Sequence, residues 1–486
     1  MTKIRLFALA VAAAIAVQGC AVQAPDAARM AAEVTPSAWT RTSLPAGDIA
    51  SYRDFWQRWN DPDLVALVER TLDANTDIQT AMANLRAARA SLTSANAALW
   101  PTAALNGDGR RSKAGSAYST SYSAEGSGAW TLSLGGSEFF TADAAQESAL
   151  ASSLTLEDTR AMTVAEVAQA YVNLRTAQAQ LAVVKETLAN YVETADTARW
   201  QFEAGMGTAS EAEDALVQLS TAMARIPQLE GSIAEYRNAI ARLASLPADK
   251  LPIAAERAIP EPPEGCAAAM PAQVLERRPD VRSALHSLQA AVYRLQSAKG
   301  NFFPSLSLSG NIGTTAATIG ALGASGTGVA GLMAALSVPV LNWGSLIAAE
   351  ETAAAELDQA RAQYLAVLLS ALEQTDNALS GIANAERRAL NLTRAVSHAR
   401  IAEQLARYEY ETGVGDYAML LTTQRSLLST LESELSNRAD RANNYIMLYR
   451  AVGGGWAVQA AAAEQTEKSA QSNRSTDVGL EGREGK

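Results

Sequence analysis

The stretch YSTSYSAEGSGAWTLSL (residues 118–134) alternates with a period of two. Tyr118, Thr120, Tyr122, Ala124, Gly126, Gly128, Trp130, Leu132 and Leu134 share one face. Ser119, Ser121, Ser123, Glu125, Ser127, Thr131 and Ser133 fall on the other. Successive side chains of a strand point to opposite faces, so one face is bland and apolar and the other small and polar. This is the pattern of a membrane β-barrel strand, apolar toward lipid and polar toward a water-filled interior. Leu306, Leu308, Gly310 and Ile312 alternate in the same way with Ser and Asn, and Leu332, Ala334, Leu336, Val338 and Val340 form a further run. The alternative is a soluble hairpin with one buried face, but so many Ser and Gly positions would line a poor core.

Outward from these strands, Pro101 and Pro304 mark passages from helix to strand, and Asn342-Trp343-Gly344 marks the return. Trp100, Trp130, Phe302, Phe303 and Trp343 gather at these boundaries, where an aromatic girdle would sit. Hairpins at about 102–135 and 304–341 supply four strands, too few to close a barrel. Open strand edges are not viable in lipid, so the chain must oligomerise. Two, three or four subunits would give eight, twelve or sixteen strands.

Each hairpin sits in the same order of elements. A helical segment (about 64–99 and 273–301) precedes it, and a very long helix, a Gly turn and another helix follow. Residues 137–204 contain neither Gly nor Pro, and 345–412 contain only Gly381. Such a helix is roughly 100 Å long. Val167, Tyr171, Leu174, Leu181, Leu188, Val192 and Ala195 recur near the 3.5-residue period of a coiled coil, softened by Gln178, Lys185 and abundant Ala. Small residues suit helices packed on two flanks, as in a curved helical wall; an ordinary two-stranded coiled coil is the alternative.

The order is duplicated. Residues 75–107 slide onto 278–310 at an offset of 203 with 11 of 33 identities, among them Asp77 with Asp280, Pro101 with Pro304 and Gly107 with Gly310. Further on the offset is 208, where Arg199 meets Arg407, Glu203 meets Glu411, and Gly205 and Gly207 meet Gly413 and Gly415. The second copy therefore gains five residues in its hairpin segment. Six of the 15 prolines fall within 247–271. The expected organisation is a first repeat at 61–250, a Pro-rich linker at 251–270, a second repeat at 271–455 and a disordered polar tail at 456–486.

The chain has 486 residues, 48% of them hydrophobic and 19% charged, with a formal net charge of −11. No Lys/Arg cluster suited to neutralising phosphates along nucleic acid stands out, so no nucleic-acid partner is expected. Lys3 and Arg5 precede an apolar run, Leu6–Val17, that is too short to span a bilayer as a helix and fits a signal peptide over 1–20. Gly19-Cys20 resembles a lipoprotein lipobox, although Gln18 stands where a small or hydroxyl residue is usual. The resemblance implies acylation of Cys20, a lipidated segment at 21–60 and, with Ala21 following, sorting to the outer membrane; an ordinary signal is the alternative. With Cys266 the only other Cys, no zinc site or internal disulfide is expected beside a lipidated Cys20. His286 and His398 lie alone in helical patterns. No nucleophile–base pair, phosphate-binding Gly loop or paired carboxylate site is apparent, so no enzyme, cofactor or metal is expected.

Several motifs in order resemble the TolC-like outer-membrane factor family, in its NodT-type lipoprotein branch, over roughly residues 52–455. They are FWQRWNDPDL (55–64), Asn75-x-Asp77, LERRPDVRSA (275–284), NFFPSLSLSG (301–310) and YETGVGDYAMLLTTQRSLL (410–428). The resemblance implies a homotrimer, a twelve-stranded barrel in the outer membrane and a helical barrel in the periplasm. It implies a passive exit duct for drugs or other small molecules, working with a periplasmic adaptor and an inner-membrane efflux transporter. The exit duct of type I protein secretion and a poreless periplasmic scaffold are the competing functions. The family carries acidic residues at the periplasmic tip. In the matching turns, Gly205–Leu216 and Gly413–Gln424, the candidates are Glu211, Glu213, Asp214 and Asp416, while Met419 and Thr422 stand where the family has acids. A solvated helix start, which favours acids at its positive end, is the other reading of these four. The segment AWTLSLGG (129–136) also lacks the acid usual beside that strand.

Overall fold

The structure is a computed structural model and describes residues 25–40, 42–45, 54–264, 266 and 271–454. Helices α1 (Ala27–Val34), α2 (Pro62–Ala74) and α3 (Thr76–Ala97) precede strands β1 (Thr102–Ala114) and β2 (Ala117–Ser133). Helices α4 (Ser137–Glu203) and α5 (Ala209–Leu243) follow. The second half runs α6 (Pro271–Arg277), α7 (Pro279–Gly300), β3 (Ser305–Ala316), β4 (Gly328–Ser337), α8 (Trp343–Glu411) and α9 (Tyr417–Ala451). The mainly α, internally duplicated fold with four strands is as the sequence predicts.

The chain divides into two compact units. One unit holds residues 83–154 and 282–367 with residues 25–33, and it contains the sheet. Its order is β1-β2-β3-β4, antiparallel throughout. Gly115, at φ 62°, takes the first of two turn positions between β1 and β2, as two-residue II′-type hairpins require. The second hairpin closes instead through residues 317–327, so the extra length of the second copy lies in its loop. At the base of the sheet the Trp130 indole donates to the Leu99 carbonyl (3.1 Å) and Leu134 N–H donates to Pro304 O (2.9 Å). Phe302 and Trp343 meet edge-on at 5.8 Å. Beneath the sheet α4 and α7 join through Thr141 and Ser297 (3.0 Å) and through Glu147 and His286 (2.6 Å).

The other unit holds the described residues of 34–82, 155–281 and 368–454. Its core combines Phe55, Trp56 and Trp59 with Leu64, Leu67, Val164, Tyr171, Leu174, Ile240, Ile382, Ile446 and Tyr449. Phe55 stacks on Tyr449 with ring centroids 4.5 Å apart. The FWQRWNDPDL motif is thus a packing element with a polar end. Asp61 caps α2 and accepts from Tyr171 Oη (2.8 Å) and Arg257 (2.9 Å), while Asp63 accepts from the fully buried Arg175 (2.9 Å). Arg175 also donates to Ala254 O (3.0 Å), which ties the Pro-rich segment down. Cys266 is buried, and burial pushes its thiol up.

Two expectations change in detail. The segments expected as helices at about 64–99 and 273–301 are each broken, at Asn75 and at Arg278. Asn75 adopts an extended backbone (ψ 136°) and caps α3, accepting from Asp77 N–H (2.8 Å) and Ile78 N–H (3.2 Å). Pro279, just after Arg278, has no N–H to extend a helix and starts a new one. The alternation through Val338 and Val340 also outruns the strand, which stops at Ser337, because Pro339 cannot donate to a ladder.

Candidate channel sheet and helix-turn tip

The register of the sheet separates its faces row by row. On one face Leu132, Leu306 and Leu336 form a row, followed by Trp130, Leu308 and Ala334, then Ala103, Gly128, Gly310 and Leu332. The next row is Leu105, Gly126, Ile312 and Ala330. Leu105 is 92% and Leu332 91% exposed, which no protein face in water would favour at this density. On the opposite face stand Asn106 with Glu125, then Ala104, Ser127 and Asn311, and then Thr131 with Ser307. These side chains bond to each other. Asn106 Nδ2 donates to Ser127 Oγ (2.9 Å), and Asn311 Nδ2 donates to Glu125 (3.1 Å). Such an arrangement solvates one side of a sheet and leaves the other to hydrocarbon.

The two Gly turns repeat each other closely. Gly205 and Gly413 hold φ of 72° and 75° at the ends of α4 and α8. Met206 N–H and Gly207 N–H both donate to Gln201 O, as Val414 N–H and Gly415 N–H both donate to Glu409 O. Left-handed residues at these sites return orphan helix-end carbonyls to hydrogen bonds, and Gly adopts that backbone without penalty. The structure brings the two turns together. Tyr410 Oη donates to Gln201 (2.6 Å), the Tyr410 and Tyr417 rings lie 5.6 Å apart, and Tyr417 packs with Ala195, Ala198, Ala215 and Leu421. Burial first, then the charges of Tyr410, Asp214 and Glu211, push the Tyr417 phenol up.

The four acidic candidates do different jobs here. Glu211 forms a capping box with Thr208, accepting from Thr208 N–H (2.8 Å) while its own N–H donates to Thr208 Oγ1 (3.3 Å). Asp416 caps α9 and accepts from Ala418 N–H (3.3 Å). Glu213 and Asp214 are exposed, and neither is given a cap to hold. Cys20 lies outside the described residues. Sequence reasoning overlooked the apexes themselves: Met206 and Val414, equivalent at the offset of 208, are 78% and 84% exposed. Among the described residues no group of His, Cys, Asp and Glu could hold a metal ion, and no helix is long and apolar enough to cross a membrane.

The family profile described as outer membrane efflux protein matches residues 67–245 and 270–454, one block in each repeat. The chain belongs to the outer membrane efflux protein family. Among relatives of this efflux protein is the antibiotic efflux pump outer membrane protein ArpC of Pseudomonas putida, 30% identical, with 96% of this chain and 98% of the relative covered. The toluene efflux pump outer membrane protein TtgC, also of Pseudomonas putida, matches to the same extent. The cation efflux system protein CusC of Escherichia coli is 28% identical, covering 91% of this chain and 97% of that one. The solved outer-membrane channel OprN superposes with a TM-score of 0.78 at 27% identity, covering 87% of this chain and 99% of OprN. The efflux protein is therefore an outer-membrane channel reaching into the periplasm, the exit duct of an efflux pump.

Proposed function

We propose that three copies close their sheets into one twelve-stranded barrel, through which small molecules leave passively. The observation that carries this reading is the pair of exposed edge strands, β1 and β4, on a sheet with one apolar and one hydrogen-bonded polar face. An unpaired edge in hydrocarbon costs several kcal/mol for each orphan group, and pairing β1 of one copy with β4 of the next removes every edge. The resemblance to the TolC-like family supports three subunits over two or four. The duct does no chemistry. A periplasmic adaptor and an inner-membrane transporter supply substrate and energy, and the exposed Met206 and Val414 at the tip give such a partner an apolar surface. Relatives named for toluene, antibiotic and cation efflux support small-molecule cargo rather than protein. Glu213 and Asp214 ring the tip aperture, with Asp416 and Glu211 holding the helix starts beside them. Acylation of Cys20 anchors the N-terminus to the same membrane.

Single-channel recording on the detergent-extracted oligomer tests the reading. Discrete conductance steps from a trimer are expected, and a soluble dimer without conductance would sink it. In the same recordings Glu125→Gln should lower the cation preference of the pore by about twofold, because three such carboxylates face its interior. An unchanged reversal potential would place Glu125 away from the ion path.

A further inference from the structure

The two hairpins differ in charge. No charged residue occurs between Lys299 and Glu350, so the second hairpin is neutral throughout. The first carries Arg110, Arg111 and Lys113 at the end of β1. Period two places Arg111 and Lys113 on the face of Leu105, the apolar one, and Arg110 on the face of Asn106. Both outward cations lean on one ring: the Arg111 guanidinium carbon lies 5.0 Å and the Lys113 ammonium 5.3 Å from the Tyr118 centroid. Among the described residues no acid forms an ion pair with either. An apolar, lipid-side face therefore ends in two cations without a protein counter-ion.

Their height along the sheet identifies what they meet. From Leu132 to Tyr122 the apolar face runs ten residues, roughly 33 Å along the strand and about 23 Å along the normal at a tilt near 45°. That matches the outward apolar band of an outer-membrane barrel, about 25 Å, with Trp130 toward its lower edge and Tyr122 at its upper edge. Arg111 pairs with Thr120 and Lys113 with Tyr118, one and two rows beyond Tyr122. They stand at headgroup level, on the end of the sheet remote from Leu99 and Pro304. With the helices in the periplasm, that end faces the outer leaflet.

We propose that Arg111, Lys113 and Tyr118 form a binding site for the phosphate groups of the outer leaflet's phosphorylated glycolipid, its acyl chains lying down the apolar face along Gly109, Tyr122, Gly107 and Leu105. Two cations suit a phosphomonoester, whose charge exceeds one, and the Tyr118 ring restrains both before the ligand arrives. Leu105 reaches over Gly126 and the Tyr122 ring over Gly109, so the strip between the cations and the band offers an acyl chain apolar side chains to lie against. The inference rests on the barrel orientation of the proposed function, so the two need separate readouts. Conductance reads the pore; lipid binding reads this site.

Native mass spectrometry of the full-length oligomer, titrated with diphosphoryl lipid A at about 0.15 M ionic strength, provides the test. The double variant Arg111→Gln/Lys113→Gln should bind about thirtyfold more weakly than the parent. Arg110→Gln, on the other face, should bind as the parent does, and the charge-conserving pair Arg111→Lys/Lys113→Arg should retain most of the affinity. Subunit number, read in the same spectra, reports assembly; should the double variant fail to assemble, the single variants Arg111→Gln and Lys113→Gln decide, each expected to bind about fivefold more weakly than the parent. Equal binding by the double variant, an equal loss in Arg110→Gln, loss in the charge-conserving pair, or equal binding of phosphatidylethanolamine by the parent would each overturn the proposal.

Discussion

The two repeats build the same joint with different chemistry. In the first, Asn75 Nδ2 donates to the carbonyl of Leu243, the last residue of α5 (2.9 Å). In the second, Arg278 Nη1 donates to the carbonyl of Ala451, the last residue of α9 (3.1 Å). The donors are equivalent at an offset of 203 and the acceptors at 208. Each joint clamps the break between two helices onto the end of the long hairpin that follows it. Asn75 does this as a neutral amide that also caps α3. Arg278 is a nearly buried cation, and so it needs company: Asp280 takes two of its hydrogen bonds (3.0 and 2.6 Å) and Gln374 a third (2.9 Å). One fold tolerates both solutions because the requirement is a satisfied helix-end carbonyl, and charge is incidental to it.

The largest effect should come from the charged joint. Arg278→Ala leaves Asp280 without its guanidinium in a half-buried site and should destabilise by about 3–5 kcal/mol, read by urea unfolding. Asn75→Ala, which loses a cap and one buried bond, should cost about 1–3 kcal/mol by the same assay. Equal costs would remove the distinction between the two joints. Asp158 sharpens it further. Burial first, then the charge of Asp280, raises the Asp158 carboxyl pKa, against the lowering influence of Arg450 and Arg278. A raised carboxyl contributes most to stability when protonated, and that contribution is lost as pH rises through its folded value. Asp158→Asn should therefore raise the melting temperature at pH 7, with the gain shrinking on acidification; a gain that grows toward acid would reverse this assignment. The smallest effect lies one step past the joints. Ser245 holds φ 51° where the second copy has Gly453 at φ 92°, and Ser245→Gly should stabilise by about 0.5–1 kcal/mol. No change in unfolding midpoint would mean that the serine already fits its left-handed site.

Much of this architecture is legible in the residues. The sheet faces follow from alternation alone, and α4 follows from a long run without Gly or Pro. The breaks at Asn75 and Arg278 are harder to see, because apolar periodicity continues across both. The Asn75 cap and Pro279 are the local signals, and only the structure shows the helix-end carbonyls of Leu243 and Ala451 to which the two breaks are clamped. The end of β4 was written in Pro339, but Val338 and Val340 prolong the alternation past it. At the tip, Thr208-x-x-Glu211 is a readable capping signature, and it takes Glu211 out of the set of unoccupied charges. The pairing of the two turns through Tyr410 and Gln201 depends on side chains more than two hundred positions apart, which no local pattern encodes.

The unequal hairpin ends have one more consequence. The first closes in a two-residue turn, whereas residues 317–327 form a wider loop of Ala, Gly, Ser, Thr, Ile and Leu, and Ile319 is 67% exposed. On a living cell this loop, at the outer mouth of the channel, is what antibodies and bacteriophages would meet first. It is also the place to splice in an epitope tag that intact bacteria would present to stain.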